Sequence, residues 1–203
     1  MVVLAIMTIL TTVFLLQQRR FDSSTLLRTL AYSIALSVRQ AQTYGSSVRQ
    51  FDTSANGFKY SYGLSFSTDA NHYYLFADVN GDKIYETSPT DETVQKFTIN
   101  TGYSITKFCG ILPNGTDQSC TTGTTPGGTP ITSLTLYFKR PDPDAQFSAT
   151  NSAGNANGET YCAVYVQVQG GGGDTRAIKI TTTGQVLIGP PNPLVTDPSV
   201  SGC

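Results

Sequence analysis

Hydrophobic and polar positions divide the chain into two unlike parts. Met1–Leu16 contains no charged residue, glycine or proline, and its polar side chains are threonines. From Ser23 to Tyr44, apolar residues recur at spacings of three and four and fall on one stripe of a helix: Leu27, Leu30, Ala31, Ile34, Val38 and Ala41. Gly45 can adopt the left-handed conformation that ends many helices. The pattern predicts one continuous helix over residues 1–45, apolar all round at its start and one-sided near its end.

The remainder of the chain, residues 46–203, alternates short runs rich in Val, Ile, Tyr, Phe and Thr with turn-forming residues. These runs predict strands at 58–66, 72–78, 94–99, 103–109, 134–140, 161–169, 176–181 and 185–188. Asn80-Gly81, between two such runs, predicts a tight hairpin. Because the apolar stripe of the helix must be covered, we expect the strands to pack on it. The predicted fold class is α+β, with a long N-terminal helix packed on an antiparallel β-sheet domain.

The same two parts of the chain also differ in charge. Residues 1–45 hold four arginines and one acid, whereas the whole chain has a net charge of -1. Such a balance gives no general attraction to nucleic acid or to an acidic membrane surface. A single histidine excludes any zinc site that needs two imidazoles. Met1–Leu16 would span about 24 Å of the roughly 30 Å hydrocarbon core, so it predicts a short or marginal membrane helix.

The start of the predicted helix and several segments of the β-rich domain resemble one known protein family. Val2-Val3-Leu4-Ala5-Ile6 and the following Met7-Thr8-Ile9-Leu10 are similar to the inner part of the N-terminal signature of type IV pilins and pseudopilins. The segments 134–143, 176–180 and 184–186 resemble the GspH/FimT-type minor pseudopilin domain. The resemblance implies an assembly helix that packs against equivalent helices of other pilin-like subunits in a fibre, through Val2, Val3, Leu4, Ala5, Ile6, Ile9 and Leu10.

The family signature is incomplete in this sequence. The cleavable leader, the glycine before the cut and the glutamate shortly after it are absent. Arg19 and Arg20 would by themselves favour a cytoplasmic C-terminal side, which is opposite to a pilin. We therefore expect a basic leader upstream of Met1. The resemblance then implies N-terminal methylation, a single-pass inner-membrane anchor with a transmembrane first half of the helix, an extracytoplasmic domain, and a non-enzymatic subunit of a type IV pilus or type II secretion-type fibre.

The four cysteines are compatible with an oxidising compartment. Cys109 and Cys120 flank a Pro-Asn-Gly segment at a separation that a disulfide can close into a hairpin. Cys162 and Cys203 are then available as a second pair. Four cysteines allow three connectivities, and the sequence does not choose among them. The alternative is a set of independent thiols, with Cys162 buried as a small hydrophobic residue.

One segment carries candidate metal ligands. Oxygen-bearing side chains at Asp78, Asn80, Asp82 and Glu86 follow the alternate spacing of a calcium-binding loop. Its glycine stands at the fourth position and not the sixth, and Lys83 adds a competing positive charge. The alternative is a hairpin turn whose acids face solvent. We expect no cofactor apart from calcium, for which these four side chains are the candidate ligands.

Two further functions fit parts of the sequence. A pilus-tip module that binds DNA or a surface ligand would need a cluster of basic side chains, for which the candidates are Lys59, Lys96, Lys107, Lys139, Arg140 and Arg176. A membrane-anchored cysteine transpeptidase of the sortase type would use His72, Cys162 and Arg176. The Thr-Leu-x-Thr-Cys motif of sortases is missing. The fibre subunit is the main prediction, and the DNA-binding and transpeptidase functions are the alternatives.

Overall fold

The computed structural model describes residues 2–47, 49–51, 59–88 and 91–189, and for residues 15–23 it describes the helical backbone only. The described residues form one helix, α1 (Val2–Ser46), and ten strands. The strands are β1 (Ser61–Ser67), β2 (His72–Asp78), β3 (Thr93–Thr98), β4 (Tyr103–Ile111), β5 (Gln118–Cys120), β6 (Ser133–Lys139), β7 (Asp142–Thr150), β8 (Ala163–Gly170), β9 (Thr175–Thr181) and β10 (Val186–Gly189).

The strands form two antiparallel sheets of five strands each. The first sheet has the order β3-β2-β1-β6-β7, and the second has the order β10-β9-β8-β4-β5. All strand pairs are antiparallel, and the two long hairpins β6–β7 and β8–β9 are consecutive in the chain. The free edges of the first sheet are therefore β3 and β7, and those of the second sheet are β10 and β5.

The second half of α1 lies against both sheets. It contacts β1, β6 and β7 of the first sheet and β8, β9 and β10 of the second. One face of this half is completely covered, and its buried residues are Leu27, Ala31, Ile34, Val38 and Ala41. They belong to one hydrophobic cluster with strand residues of both sheets, such as Leu136 in β6 and Val166 in β8. A single core therefore joins the helix and both sheets.

Polar contacts fix the position of α1 on the sheets. The hydroxyl of Ser37 lies 3.1 Å from the hydroxyl of Tyr73 in β2. On the second sheet, Arg39 Nη1 donates to the carbonyl oxygen of Gly184 at 3.2 Å. Because Ser37 contacts one sheet and Arg39 the other, these bonds set the rotation of the helix relative to both.

The fold class predicted from the sequence is wrong. The structure is predominantly antiparallel β, with two five-stranded sheets, whereas a long helix with a transmembrane first half, packed on an antiparallel β-sheet domain, was expected. Within the described part of the chain, no helix has the length and apolar character needed to span a membrane. The prediction of a transmembrane first half, and with it the single-pass location in the membrane, is therefore corrected. The physical reason is that the apolar run ends at Leu16 and is followed by two glutamines and then by Arg19 and Arg20.

Two local predictions also need correction. Asn80-Gly81 does not join two strands as a two-residue hairpin, because β2 ends at Asp78 and its partner β3 begins only at Thr93. Gly45 does not stop the helix, which continues to Ser46. A Cβ atom at Gly45 would lie 2.6 Å from Cβ of Phe138, so the glycine permits close packing of the helix on β6.

Candidate functional site

The N-terminal part of α1 presents an uncovered apolar surface. Its large hydrophobic side chains are 49% to 74% exposed: Val2, Val3, Leu4, Ile6, Met7, Ile9, Leu10, Val13 and Phe14. Ala5, the remaining predicted assembly residue, is also exposed. Among the described side chains, the first helix residue that belongs to the core is Leu27. All of the predicted assembly residues therefore lie together on a part of the helix that none of the ten described strands covers.

The threonine hydroxyl groups of this segment are hydrogen-bonded within the helix. The hydroxyl of Thr8 donates to the carbonyl oxygen of Ala5 at 2.9 Å, and that of Thr11 donates to Met7 at 2.9 Å. Thr12 makes the same kind of bond to Thr8 at 2.7 Å. Since each hydroxyl is bonded back to the helix, the methyl groups are left to face outward. The surface of residues 2–14 is consequently apolar on every side, which exceeds the narrow stripe of a helix that packs on one partner.

The candidate calcium ligands occupy the turn that follows β2. Three of them meet at the amide of Asn80, whose Nδ2 donates to Asp82 Oδ2 at 2.9 Å and to Glu86 Oε2 at 3.2 Å. Asp78 is buried apart from them and accepts a hydrogen bond from the N–H of Gly81 at 2.8 Å. Burial raises the pKa of Asp78, although backbone hydrogen bonds from Gly81 and Lys83 oppose the shift. The structure brings Asn80, Asp82 and Glu86 together and turns Asp78 inward.

Glu92 is a buried acid of this turn that the sequence did not single out. Its side chain is 0% exposed. One carboxylate oxygen accepts from the N–H of Val79 at 2.9 Å, and the other accepts from the N–H of Glu86 at 3.2 Å. Burial is the main cause that raises its pKa to about 7, and the nearby charge of Asp78 adds to the shift. Nothing in the polar run around Glu92 distinguishes it from an exposed acid, because its burial depends on tertiary packing.

No metal cluster accompanies these acids. In the described ranges, no group of three or more His, Cys, Asp or Glu side chains is placed to hold a metal ion. Asn80 directs its amide nitrogen, and not its oxygen, at the carboxylates of Asp82 and Glu86. Calcium binding at this turn stays a prediction.

The cysteine prediction is confirmed for one pair. Cys109 and Cys120 form a disulfide with a Cα–Cα distance of 4.1 Å. They are directly opposite each other in the β4–β5 pair, so the bond closes the hairpin that the Pro-Asn-Gly segment makes. Cys162 packs beside this buried group. Its predicted partner, Cys203, lies outside the described residues.

The residues of the transpeptidase alternative are dispersed. His72 Nδ1 lies 2.7 Å from Asp69 Oδ2, at the start of β2 in the first sheet. Cys162 directly precedes β8 in the second sheet, where its neighbour Ala163 pairs with Thr181, whereas Arg176 of β9 pairs with Val168 at the other end of the same hairpin. Five residue steps of strand separate these pairs, which corresponds to about 17 Å. The structure does not bring Cys162 and Arg176 together.

The basic residues named for DNA binding are partly gathered. Lys59 and Lys139 line one cleft of about 400 Å³, together with Lys83 of the candidate calcium loop. Lys96 lies in β3, while Lys107 and Arg176 belong to the second sheet. The six predicted residues therefore do not form one basic surface.

Comparisons with known proteins provide no relative from which a function could be inferred. Neither family models, nor curated proteins, nor solved structures yielded a match to the chain.

Proposed function

We propose that the protein is a non-enzymatic structural subunit that assembles into a fibre through residues 2–14 of α1, which pack against the equivalent helices of neighbouring subunits. The single observation that supports this proposal most is the exposure of every large apolar side chain in this segment. Burying such side chains lowers the free energy by about 25 cal/mol for each Å² of apolar surface that is removed from water. A segment with so much uncovered apolar surface has a strong tendency to associate.

The distribution of apolar residues favours several neighbours over one. A helix that packs on a single partner needs only a narrow seam of apolar residues. Here Leu4 and Ile9 project about 140° apart around the helix axis, at about 100° per residue, and Leu10 projects in a third direction. One partner helix would leave part of this surface in water. A bundle of equivalent helices, as in the core of a fibre, would cover all of it.

The resemblance of Val2-Val3-Leu4-Ala5-Ile6 to the pilin signature supports the same proposal and suggests how the fibre is built. The β-rich domain would lie on the outside of the fibre, because the second half of α1 packs against both sheets. Each subunit would then contribute residues 2–14 to the shared helical core.

The proposal is tested by replacing Leu10 with aspartate in the full chain. Leu10 is 61% exposed and lies outside the hydrophobic core, so Leu10→Asp should leave the domain folded. It should weaken self-association at least about tenfold, because a charge would enter the apolar core of the assembly. Sedimentation velocity and negative-stain electron microscopy measure the association.

The matched control is Leu36→Asp, which places the same charge on the same helix. Leu36 is 69% exposed but belongs to the half of α1 that lies on the sheets. This variant should associate as the unmodified chain does. A wild-type chain that stays monomeric at high concentration, or an equal effect of both substitutions, would contradict assembly through residues 2–14.

A further inference from the structure

Two neighbouring clefts open beside β6 and β7. The smaller has a volume of about 400 Å³ and the larger about 640 Å³, and both are lined by Gly81, Lys83, Tyr137 and Gln146. Tyr137 in β6 is directly opposite Gln146 in β7, so their side chains stand next to each other on the same face of the first sheet. Because the two clefts meet at these residues, they form one groove with the size of a site for a small organic molecule.

The shared wall of the groove carries two polar side chains without partners. Tyr137 is 3% exposed, yet none of the described residues forms a hydrogen bond with its hydroxyl. In the described part of the chain, no fully enclosed side-chain polar atom lacks a partner, so this hydroxyl opens into the groove. The side-chain amide of Gln146 is likewise unpartnered among the described residues. A buried polar group without a protein partner indicates a bound ligand or water.

Positive side chains are concentrated at the smaller cleft. Lys59, Lys83 and Lys139 line it together with one acid, Asp78, which leaves a formal charge of +2. None of the three ammonium groups forms an ion pair with a described carboxylate. The carboxylate of Asp78 instead accepts a hydrogen bond from the N–H of Gly81 at 2.8 Å. This part of the groove therefore attracts the anionic group of a ligand.

The larger cleft has the opposite charge. Its charged lining residues are Asp82, Glu159 and the shared Lys83, which gives a formal charge of -1. Amide and hydroxyl groups, such as those of Asn157 and Thr160, also line it. A long polyanion such as nucleic acid would be repelled here. Neutral hydroxyl groups of a ligand can instead donate to the carboxylates and accept from the amide.

We propose that this groove binds an acidic saccharide, a short chain of sugars with one anionic group at one end. The anionic group lies among the three lysines, and the neutral sugars extend past Tyr137 and Gln146 into the larger cleft. Burial and the nearby charge of Asp78 raise the pKa of Tyr137 to about 12, so its hydroxyl keeps its proton at neutral pH and can donate to a sugar oxygen. The site goes beyond assembly, because it lies on the β-rich domain and not on residues 2–14.

The first test measures the binding of two acidic probes to the full chain by isothermal titration calorimetry at low ionic strength. Sialyllactose carries one carboxylate on its terminal sugar, and maltose 1-phosphate carries one phosphate; at least one of them should bind. Lactose, maltose and inorganic phosphate each supply only part of the ligand and should bind at least about tenfold more weakly. No binding of either acidic probe at millimolar concentration, equal binding of inorganic phosphate, or tighter binding of a short single-stranded DNA would each overturn the proposal.

The second test uses substitutions that leave the fold intact. Tyr137→Phe removes only the unpartnered hydroxyl, so it should weaken binding of the acidic probe about fivefold without lowering the melting temperature. Lys139→Gln should weaken it by a similar factor, whereas the control Lys96→Gln should not, because Lys96 is exposed on the same sheet outside both clefts.

Unchanged affinity of Tyr137→Phe, or an equal effect of the two lysine substitutions, would overturn the assignment of the groove. The variant Leu10→Asp, which tests assembly, should bind the acidic probe as the unmodified chain does. A failure of the saccharide site and a failure of assembly through residues 2–14 are therefore recognised separately.

Discussion

Gly45 is a residue at which α1 packs tightly against β6. A Cβ atom there would lie 2.6 Å from both Cβ and the carbonyl oxygen of Phe138, distances at which a neighbour must shift. Alanine is favoured over glycine in helices by about 1 kcal/mol, but overpacking of a tight core costs about 1 to 3 kcal/mol. We expect Gly45→Ala to lower the free energy of unfolding, as measured by urea denaturation. Gly189→Ala is the control, because a Cβ there meets no atom within 4 Å; an unchanged or higher stability of Gly45→Ala would contradict the close packing.

Glu92 makes stability depend on pH near neutrality. Its folded-state pKa is raised from 4.5 to about 7, so the folded protein binds more protons than the unfolded chain between these values. The stabilisation is therefore fully present below about pH 4.5 and is lost as pH rises through 7, with a slope of at most about 1.4 kcal/mol per pH unit. Glu92→Gln should remove this part of the slope in urea denaturation across that range.

A control is needed because the substitution also changes the hydrogen bonds of the turn. Exposed Asp174 provides it, and Asp174→Asn should keep the pH dependence of the unmodified chain. The buried Asp78, whose pKa is also raised, will leave a residual slope in the Glu92→Gln variant. If that variant shows the same slope as the wild type, the carboxyl of Glu92 is not the titrating group.

At the scale of secondary-structure elements, the sequence was sufficient to predict strands in which apolar and polar side chains alternate clearly. β2 was predicted with the same bounds that the structure has, and the runs at 161–169 and 176–181 correspond to β8 and β9. These strands are rich in β-branched and aromatic residues whose preference agrees with their tertiary position. The disulfide of β4–β5 could be proposed for a similar reason, since its constraint is local.

The missed elements are those whose structure comes from their neighbours. β7 begins with Asp142-Pro143-Asp144, and Phe147 is the single large apolar residue in the strand, so its own sequence is typical of a loop. It is a strand because β6 supplies a complete pairing partner along its length. β5 has only three residues and depends on β4 in the same way. The buried Glu92 was missed with them, because its burial arises only after strands pair.

At the scale of the whole molecule, the main feature is that one apolar face of α1 packs against both sheets. Ile34 is completely buried in the cluster that includes residues of both. Loss of its side chain to alanine should cost about 2 to 5 kcal/mol, because a buried isoleucine loses both its transfer energy and its packing. If helix and sheets unfold as one unit, native-state hydrogen exchange at Leu136 in β6 and at Val166 in β8 should accelerate by the same factor.

The matched substitution is Leu36→Ala, which removes a side chain that is 69% exposed on the same helix. It should leave exchange at both sheets nearly unchanged, since little apolar area is lost from the core. Acceleration in only one sheet of the Ile34→Ala variant would mean that α1 stabilises that sheet alone and that the other is an independent unit. Equal acceleration means that the helix cannot be withdrawn from either sheet without unfolding both. The β-rich domain and the second half of α1 would then form one cooperative unit, and the exposed apolar side chains of residues 2–14 would lie outside it.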